Sequence, residues 1–281
     1  MRRVLVGLAV LIATAACQQP TETQPDVTGS DTYVAIGDSY TSGPGIAPAV
    51  ADSGPCQRSK RNYPSLVAER IGLKLVDVSC GSATTANVLD TPQAGAPAVQ
   101  IDAVTESTVL VTVGIGANDG YSTRLFSQCV FAKDPGRTCG PFVNEDLELL
   151  LDRIEVSMGA ILDAVEQRAP QATVLLVGYL SFASGAPCDL LDVPADTLKL
   201  VHEAEQRLAD VMSGVAQAHD VRLVPMTQLS IGHDPCSDDP WTNGTKETRD
   251  DGAWLHPRRA GMEATADAVI DALDAETSAA K

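Results

Sequence analysis

Five short runs rich in β-branched and apolar residues, at 33–36, 74–78, 107–113, 173–177 and 221–224, alternate with stretches of helical periodicity. The third run, Ser-Thr-Val-Leu-Val-Thr-Val, is mostly apolar throughout, as a parallel strand buried on both faces requires. From 144 to 168, Leu147, Leu150, Leu151, Ile154, Met158, Ile161, Leu162 and Val165 recur at helical spacing. Asn144 is the expected cap there, with Glu145 and Asp146 in the first turn and Pro170 as the stop. Residues 62–71 predict a helix with Pro64 in its first turn and Gly72 at its end. Amphipathic helices are also expected at 196–218 and 258–273. Strands alternating with helices predict an α/β fold of three layers around a five-stranded parallel sheet. The chain of 281 residues, 44% hydrophobic, can fill one such core, and no repeat or second domain is visible. Two stretches, 117–142 and 225–253, resist assignment. Both contain cysteine and are expected as stapled surface loops beside a functional site.

In open α/β sheets, chemistry sits just outside the carboxyl ends of the strands. After the first strand, Gly37 lets the chain bend, and Ser39 carries the first hydroxyl beyond it, a candidate nucleophile. After the second comes Gly81, whose N–H can face a developing oxyanion; a plain glycine turn is an equal reading. After the third comes Gly114-Ile-Gly-Ala-Asn-Asp-Gly120. Its last glycine falls one place late for a dinucleotide fingerprint, so Asn118 reads better as an amide donor to a negative oxygen. Near the end, His256 precedes Pro257, which is expected at the first helical position. A helix N-terminus disfavours imidazolium, so its acceptor lone pair would need help to take a proton. Of the other histidines, His202 and His219 are expected in solvent on a helix, and His233 in a loop as pocket wall.

The formal net charge of −17 argues against nucleic acid as a partner. Arg2 and Arg3 precede an apolar run, 4–16, too short to span a bilayer, which is the pattern of a secretory signal. Thr14-Ala-Ala before Cys17 resembles a bacterial lipobox. That resemblance implies cleavage before Cys17, lipidation there and a membrane anchor on the outer face of the cell. The expected division is a signal peptide at 1–16, a lipidated polar tether at 17–31, the folded domain at 32–274 and a disordered tail at 275–281. Six further cysteines, at 56, 80, 129, 139, 188 and 236, suggest three disulfides in an exported chain, with 15 connectivities open. No Cys-x-x-Cys pair occurs and only His233 lies near a cysteine, so no metal is expected.

Serine after the first strand, glycine after the second, Gly-x-Asn-Asp after the third and His-Pro at the last helix share one sheet edge. In these blocks, Gly37-Asp-Ser39, Gly81, Gly116-Ala-Asn-Asp119 and His256-Pro257, the chain resembles the SGNH (GDSL-like) hydrolase family. It is most similar to secreted actinobacterial members; Cys56-Gln-Arg-Ser and Asn62-Tyr-Pro64 add to the likeness. The resemblance implies a flavodoxin-like sheet and cofactor-free hydrolysis of acyl esters; a monomer is expected. Ser39 would be nucleophile and His256 general base, with the Ser39 N–H, Gly81 N–H and Asn118 side chain as oxyanion hole. It also implies disulfides in sequence order: Cys56–Cys80, Cys129–Cys139 and Cys188–Cys236. The family usually carries Asp three residues before the histidine, where this chain has Ala253. The backbone carbonyl of Ala253 or Trp254 can orient the imidazole, giving a Ser–His dyad. Alternatively Asp251 swings in, or the chain is an impaired surface-binding lipoprotein. Trp254, Leu255, Trp241, Phe126 and Phe131 are candidates for an acyl pocket, although loop aromatics more often pack the loops themselves. A medium acyl ester and a carbohydrate acetyl ester are both compatible substrates.

Overall fold

The computed structural model describes residues 31–246 and 251–279. The signal sequence, Cys17, the tether to residue 30 and Asp250 lie outside the described residues. Five strands form one parallel sheet: β1 (Thr32–Gly37), β2 (Lys74–Asp77), β3 (Thr108–Gly114), β4 (Thr173–Val177) and β5 (Arg222–Val224). The helices in chain order are α1 (Ser39–Ser42), α2 (Tyr63–Ile71), α3 (Thr85–Leu89), α4 (Tyr121–Leu125) and α5 (Pro135–Pro141). They continue with α6 (Leu147–Arg168), α7 (Ala195–Ala218), α8 (Met226–Leu229) and α9 (Arg259–Ala279).

Neighbouring strand residues point to opposite faces. Val34, Ile36, Val111, Val113 and Leu176 join a core with Ile154, Met158 and Ile161 of α6 and Val201 and Leu208 of α7. Tyr33, Ala35, Leu110, Leu175 and Val177 join another with Tyr63 and Val67 of α2 and Met262, Ala266 and Val269 of α9. The sheet is covered on both sides, which is why β1 and β3 show no polar alternation. Strand order is β2-β1-β3-β4-β5, the flavodoxin-like order. The chain leaves β1 for one edge and returns to β3 on the other side. The crevice expected at such a reversal lies where Gly37 and Gly114 stand in register.

Local chemistry explains the best-defined ends. The Asn62 side chain accepts the Ser65 N–H at 3.2 Å and caps α2, and Gly72, at φ +72°, ends it. Several boundaries depart from the sequence-based expectation. Asn144 does not cap α6, because the chain is already helical there: a π-type turn, Phe142–Asp146, runs straight into it. Residues 121–146 are short helices and π-type turns rather than an open loop, too broken by Gly136, Gly140 and Pro141 to show a long apolar period. Pro257 is not in the first turn of α9; it forms a bridge with Thr242, and the helix starts two residues later. At its far end α9 continues to Ala279, so 275–279 are helical, with no glycine or proline to stop them. Disulfides join Cys56 to Cys80, Cys129 to Cys139 and Cys188 to Cys236.

Candidate active site

Ser39 opens α1 immediately after β1. A Cβ at Gly37 would stand 2.1 Å from Thr41 Oγ1 and 2.9 Å from the Gly114 carbonyl, so the tight bend needs glycine there. The buried Gln100 carboxamide holds this bend: its oxygen accepts the Gly37 N–H at 2.8 Å and its NH₂ donates to the Gly37 carbonyl at 3.0 Å. Asp38 is buried too. It accepts the Tyr40 N–H at 2.9 Å and the Tyr179 hydroxyl at 2.6 Å, while that hydroxyl accepts the Ala117 N–H at 3.0 Å. One carboxyl thus ties the turns after β1, β3 and β4 together. Burial, only partly offset by the Tyr179 hydrogen bond, pushes its pKa up to about 7.

His256 Nε2 lies 2.8 Å from Ser39 Oγ, and its Nδ1 lies 2.5 Å from the Trp254 carbonyl. A carbonyl only accepts, so Nδ1 carries the proton and Nε2 presents its lone pair to the serine hydroxyl. Burial lowers the His256 pKa below 6.5, against the raising effect of the Trp254 carbonyl. Burial, rather than a helix terminus, is the main cause.

The loop carrying His256 is fastened from several sides. The Tyr40 hydroxyl donates to the Leu255 carbonyl at 2.6 Å, and Leu255 takes φ +54°. Asn243 Nδ2 donates to the Asp251 carbonyl at 2.7 Å and the Ala253 carbonyl at 3.1 Å. Of the expected orienting groups, therefore, the structure puts the Trp254 carbonyl on the imidazole and commits that of Ala253 to Asn243. The Asp251 carboxylate is turned elsewhere: it accepts from Arg258 Nε at 2.9 Å and from the Arg259 N–H at 2.8 Å. It serves the start of α9, not the histidine.

Asn118 lies beyond β3. Its Nδ2 donates one hydrogen to the Ala83 carbonyl at 3.0 Å, and its Oδ1 accepts from Ser122 at 3.1 Å, which fixes the amide and leaves the second hydrogen without a partner among the described residues. A Cβ at the preceding Gly116, φ +119°, would stand 2.5 Å from Met158 Cε. Asp119 accepts the Thr85 N–H at 3.1 Å and the Thr85 hydroxyl at 2.6 Å, joining this turn to α3. Gly81 departs from expectation: its N–H is spent on the Cys56 carbonyl at 3.1 Å. The left-handed residue of this turn is Ser82, exposed at φ +63°, whose N–H has no partner among the described residues.

Of the expected pocket residues, Phe126 lines a cavity, with the Phe131 ring against it at 6.2 Å, and the others stand apart. Leu255 is buried in the core, Trp241 stacks on His233 at 3.8 Å, and Trp254 is 53% exposed, as is Phe131 at 55%. A cavity of about 50 Å³ does lie beneath Tyr40, walled by Leu125, Phe126, Tyr179, Phe182 and Leu208. His233 Nδ1–H donates to the Asp239 carbonyl at 2.8 Å, and His219 pairs with Asp163 at 3.1 Å. His202 is held beside Glu205 at 3.4 Å, which raises its pKa. No group of three or more His, Cys, Asp or Glu side chains able to hold a metal occurs among the described residues. Gln100, Tyr179 and Asn243 were not visible as site residues in the sequence. Nothing in the neighbourhood of a single Gln or Tyr marks a contact made 63 or 141 residues away.

A sequence profile of the GDSL-like lipase/acylhydrolase family matches residues 35–264. Lipase 2 of Streptomyces coelicolor is 31% identical over 244 residues, covering 82% of this chain and 79% of that protein. Among solved structures, phospholipase A1 from Streptomyces albidoflavus superposes with a TM-score of 0.76 at 26% identity, over 86% of this chain and 99% of that one. The extracellular lipase from Streptomyces rimosus gives 0.74 at 26% identity, with the same coverage.

Proposed function

Because the chain belongs to the GDSL-like lipase/acylhydrolase family, and is a serine ester hydrolase, we propose that it cleaves acyl esters through an acyl-enzyme on Ser39 with a Ser–His dyad. The observation that carries this reading is the 2.8 Å contact between Ser39 Oγ and His256 Nε2, with Nδ1–H directed to the Trp254 carbonyl. His256 takes the hydroxyl proton as Oγ attacks the ester carbonyl. It returns that proton to the leaving alkoxide, then repeats the cycle with water to free the acid. The Trp254 carbonyl supplies the orientation that Ala253 cannot. It stabilises the imidazolium less than a carboxylate would.

The oxyanion receives the Ser39 N–H and the free hydrogen of Asn118 Nδ2. The third donor is the Ser82 N–H, in place of the spent N–H of Gly81. Each donor is worth about 10²–10³ in rate. The cavity beneath Tyr40 receives the acyl group, and its size favours short chains. Export with lipidation at Cys17 is part of the same reading, supported by three disulfides and by the start of the chain.

The test is hydrolysis of p-nitrophenyl esters from acetate to palmitate, wild type beside Ser39→Ala, with fluorophosphonate labelling. Wild type is expected to label and to favour acetate to butyrate, and Ser39→Ala to lose both. Turnover that survives in Ser39→Ala would end the acyl-enzyme reading, and an optimum at long chains would end the assignment of the acyl cavity.

A further inference from the structure

The Ala83 N–H donates to the Cys80 carbonyl at 3.0 Å, which closes a β-turn with Gly81 and Ser82 at its centre. Ser82 stands at φ +63°, and Gly81 is outside the left-handed region. A positive φ confined to the third residue is the mark of a type II turn, and that position favours glycine. Here glycine sits one place early and serine takes the strained conformation. Types I and II differ by a flip of the central peptide, in this turn the Gly81–Ser82 unit. The flip would return Ser82 to an ordinary negative φ. It would also reverse the Gly81 carbonyl and swing the Ser82 N–H away.

Gln93 opposes that flip. Its Nε2 donates to the Gly81 carbonyl at 2.5 Å. That carbonyl and the Ser82 N–H belong to one planar peptide, so fixing the first fixes the second. The bond also polarises the peptide and strengthens its N–H as a donor. Beside it, Asn118 Nδ2 donates to the Ala83 carbonyl, which sets the two donors on adjoining peptides. Gln93 is anchored in turn. Its own carbonyl accepts the Ala96 N–H at 2.9 Å, and a Cβ at Gly95 would stand 2.8 Å from Pro55 Cγ. Gln93 Oε1 is buried with no partner among the described residues. A buried, unpaired acceptor works against folding. The bond to Gly81 therefore accounts for an amide at this position better than stability does.

We propose that Gln93 is a positioning residue of the oxyanion hole, locking the Gly81–Ser82 peptide in the orientation that aims the Ser82 N–H at the reacting carbonyl oxygen. The proposal rests on the acyl-enzyme reading above and on Ser82 as its third donor. Gln93 itself touches neither substrate nor the reacting atoms; it acts through the peptide it holds.

The experiment measures kcat and KM for p-nitrophenyl butyrate and for its thiono analogue, in which C=S replaces C=O, in wild type and Gln93→Met, with thermal melts. Sulfur is a weak hydrogen-bond acceptor, so the thionoester draws little on the oxyanion donors. Gln93→Met is expected to lower kcat for the oxygen ester about tenfold, part of the roughly 10²–10³ that a whole donor supplies. KM and thionoester turnover are expected to stay within about twofold, with the melting temperature undiminished. Glycine carries a positive φ without strain, so in a Ser82→Gly background the same substitution is expected to cost severalfold less. An unchanged kcat for the oxygen ester overturns the proposal. So does an equal loss on both esters, which would make Gln93 loop packing alone. Should Gln93→Met fail to fold, Gln93→Leu decides by the same ratio. If Ser39 labels with fluorophosphonate while Gln93→Met keeps the wild-type ratio of ester to thionoester, the positioning role falls and the acyl-enzyme reading stands. If Ser39 does not label, the acyl-enzyme reading falls and takes this proposal with it.

Discussion

A proton on His256 would remove the lone pair facing Ser39, so on the proposed dyad the protonation of one ring is expected to set the acid limit of turnover. Burial lowers its pKa below 6.5. The expected kcat/KM is flat at neutral pH and falls about tenfold per unit only below that lowered value. A pH profile with its acid limb above 6.5 would contradict the buried neutral ring. The same shift enters stability. The folded state binds this proton less readily than the unfolded chain, so the contribution present above pH 6.5 is lost on acidification through the folded pKa. At this scale the sequence is legible where residue type carries the role. Ser39, Asn118 and His256 stand where strand ends and turn chemistry put them. The group on Nδ1 was narrowed only to three residues, because a backbone carbonyl leaves no mark of residue type. Gly81 misled for a related reason: the glycine's freedom is not used, and its neighbour Ser82 takes the left-handed turn.

Among the elements, α9 depends on Asp251, which accepts the Arg259 N–H and pairs with Arg258. Asp251→Asn is expected to keep kcat within about tenfold while lowering stability by about 1 kcal/mol, the scale of a helix cap. Kinetics and melts on one preparation separate the two effects. A fall of about 10³ or more in kcat would make Asp251 part of the proton relay. Strands such as Thr173–Val177 were legible because burial on both faces demands unbroken apolar β-branched sequence. The short helices between Tyr121 and Asp146 were not, because each is held by its neighbours and by Cys129–Cys139 rather than by its own periodicity.

For the molecule as a whole, the disulfides close loops of very different length. Cys188–Cys236 spans 48 residues and Cys129–Cys139 spans 10. On the chain-entropy account, removing the first costs about 4 kcal/mol and the second about 2.7 kcal/mol. Paired Cys→Ala variants should therefore melt in that order in urea titrations. The reverse order would show that native packing, not loop closure, dominates. The two reacting side chains, Ser39 and His256, stand 217 positions apart, and the Tyr40 hydroxyl bonds to a carbonyl 215 positions away. On the proposed dyad, a chain still being synthesised holds its nucleophile early but no base until just before the last helix is made. On that reading it emerges from the ribosome without turnover, and gains it only when these two distant segments meet.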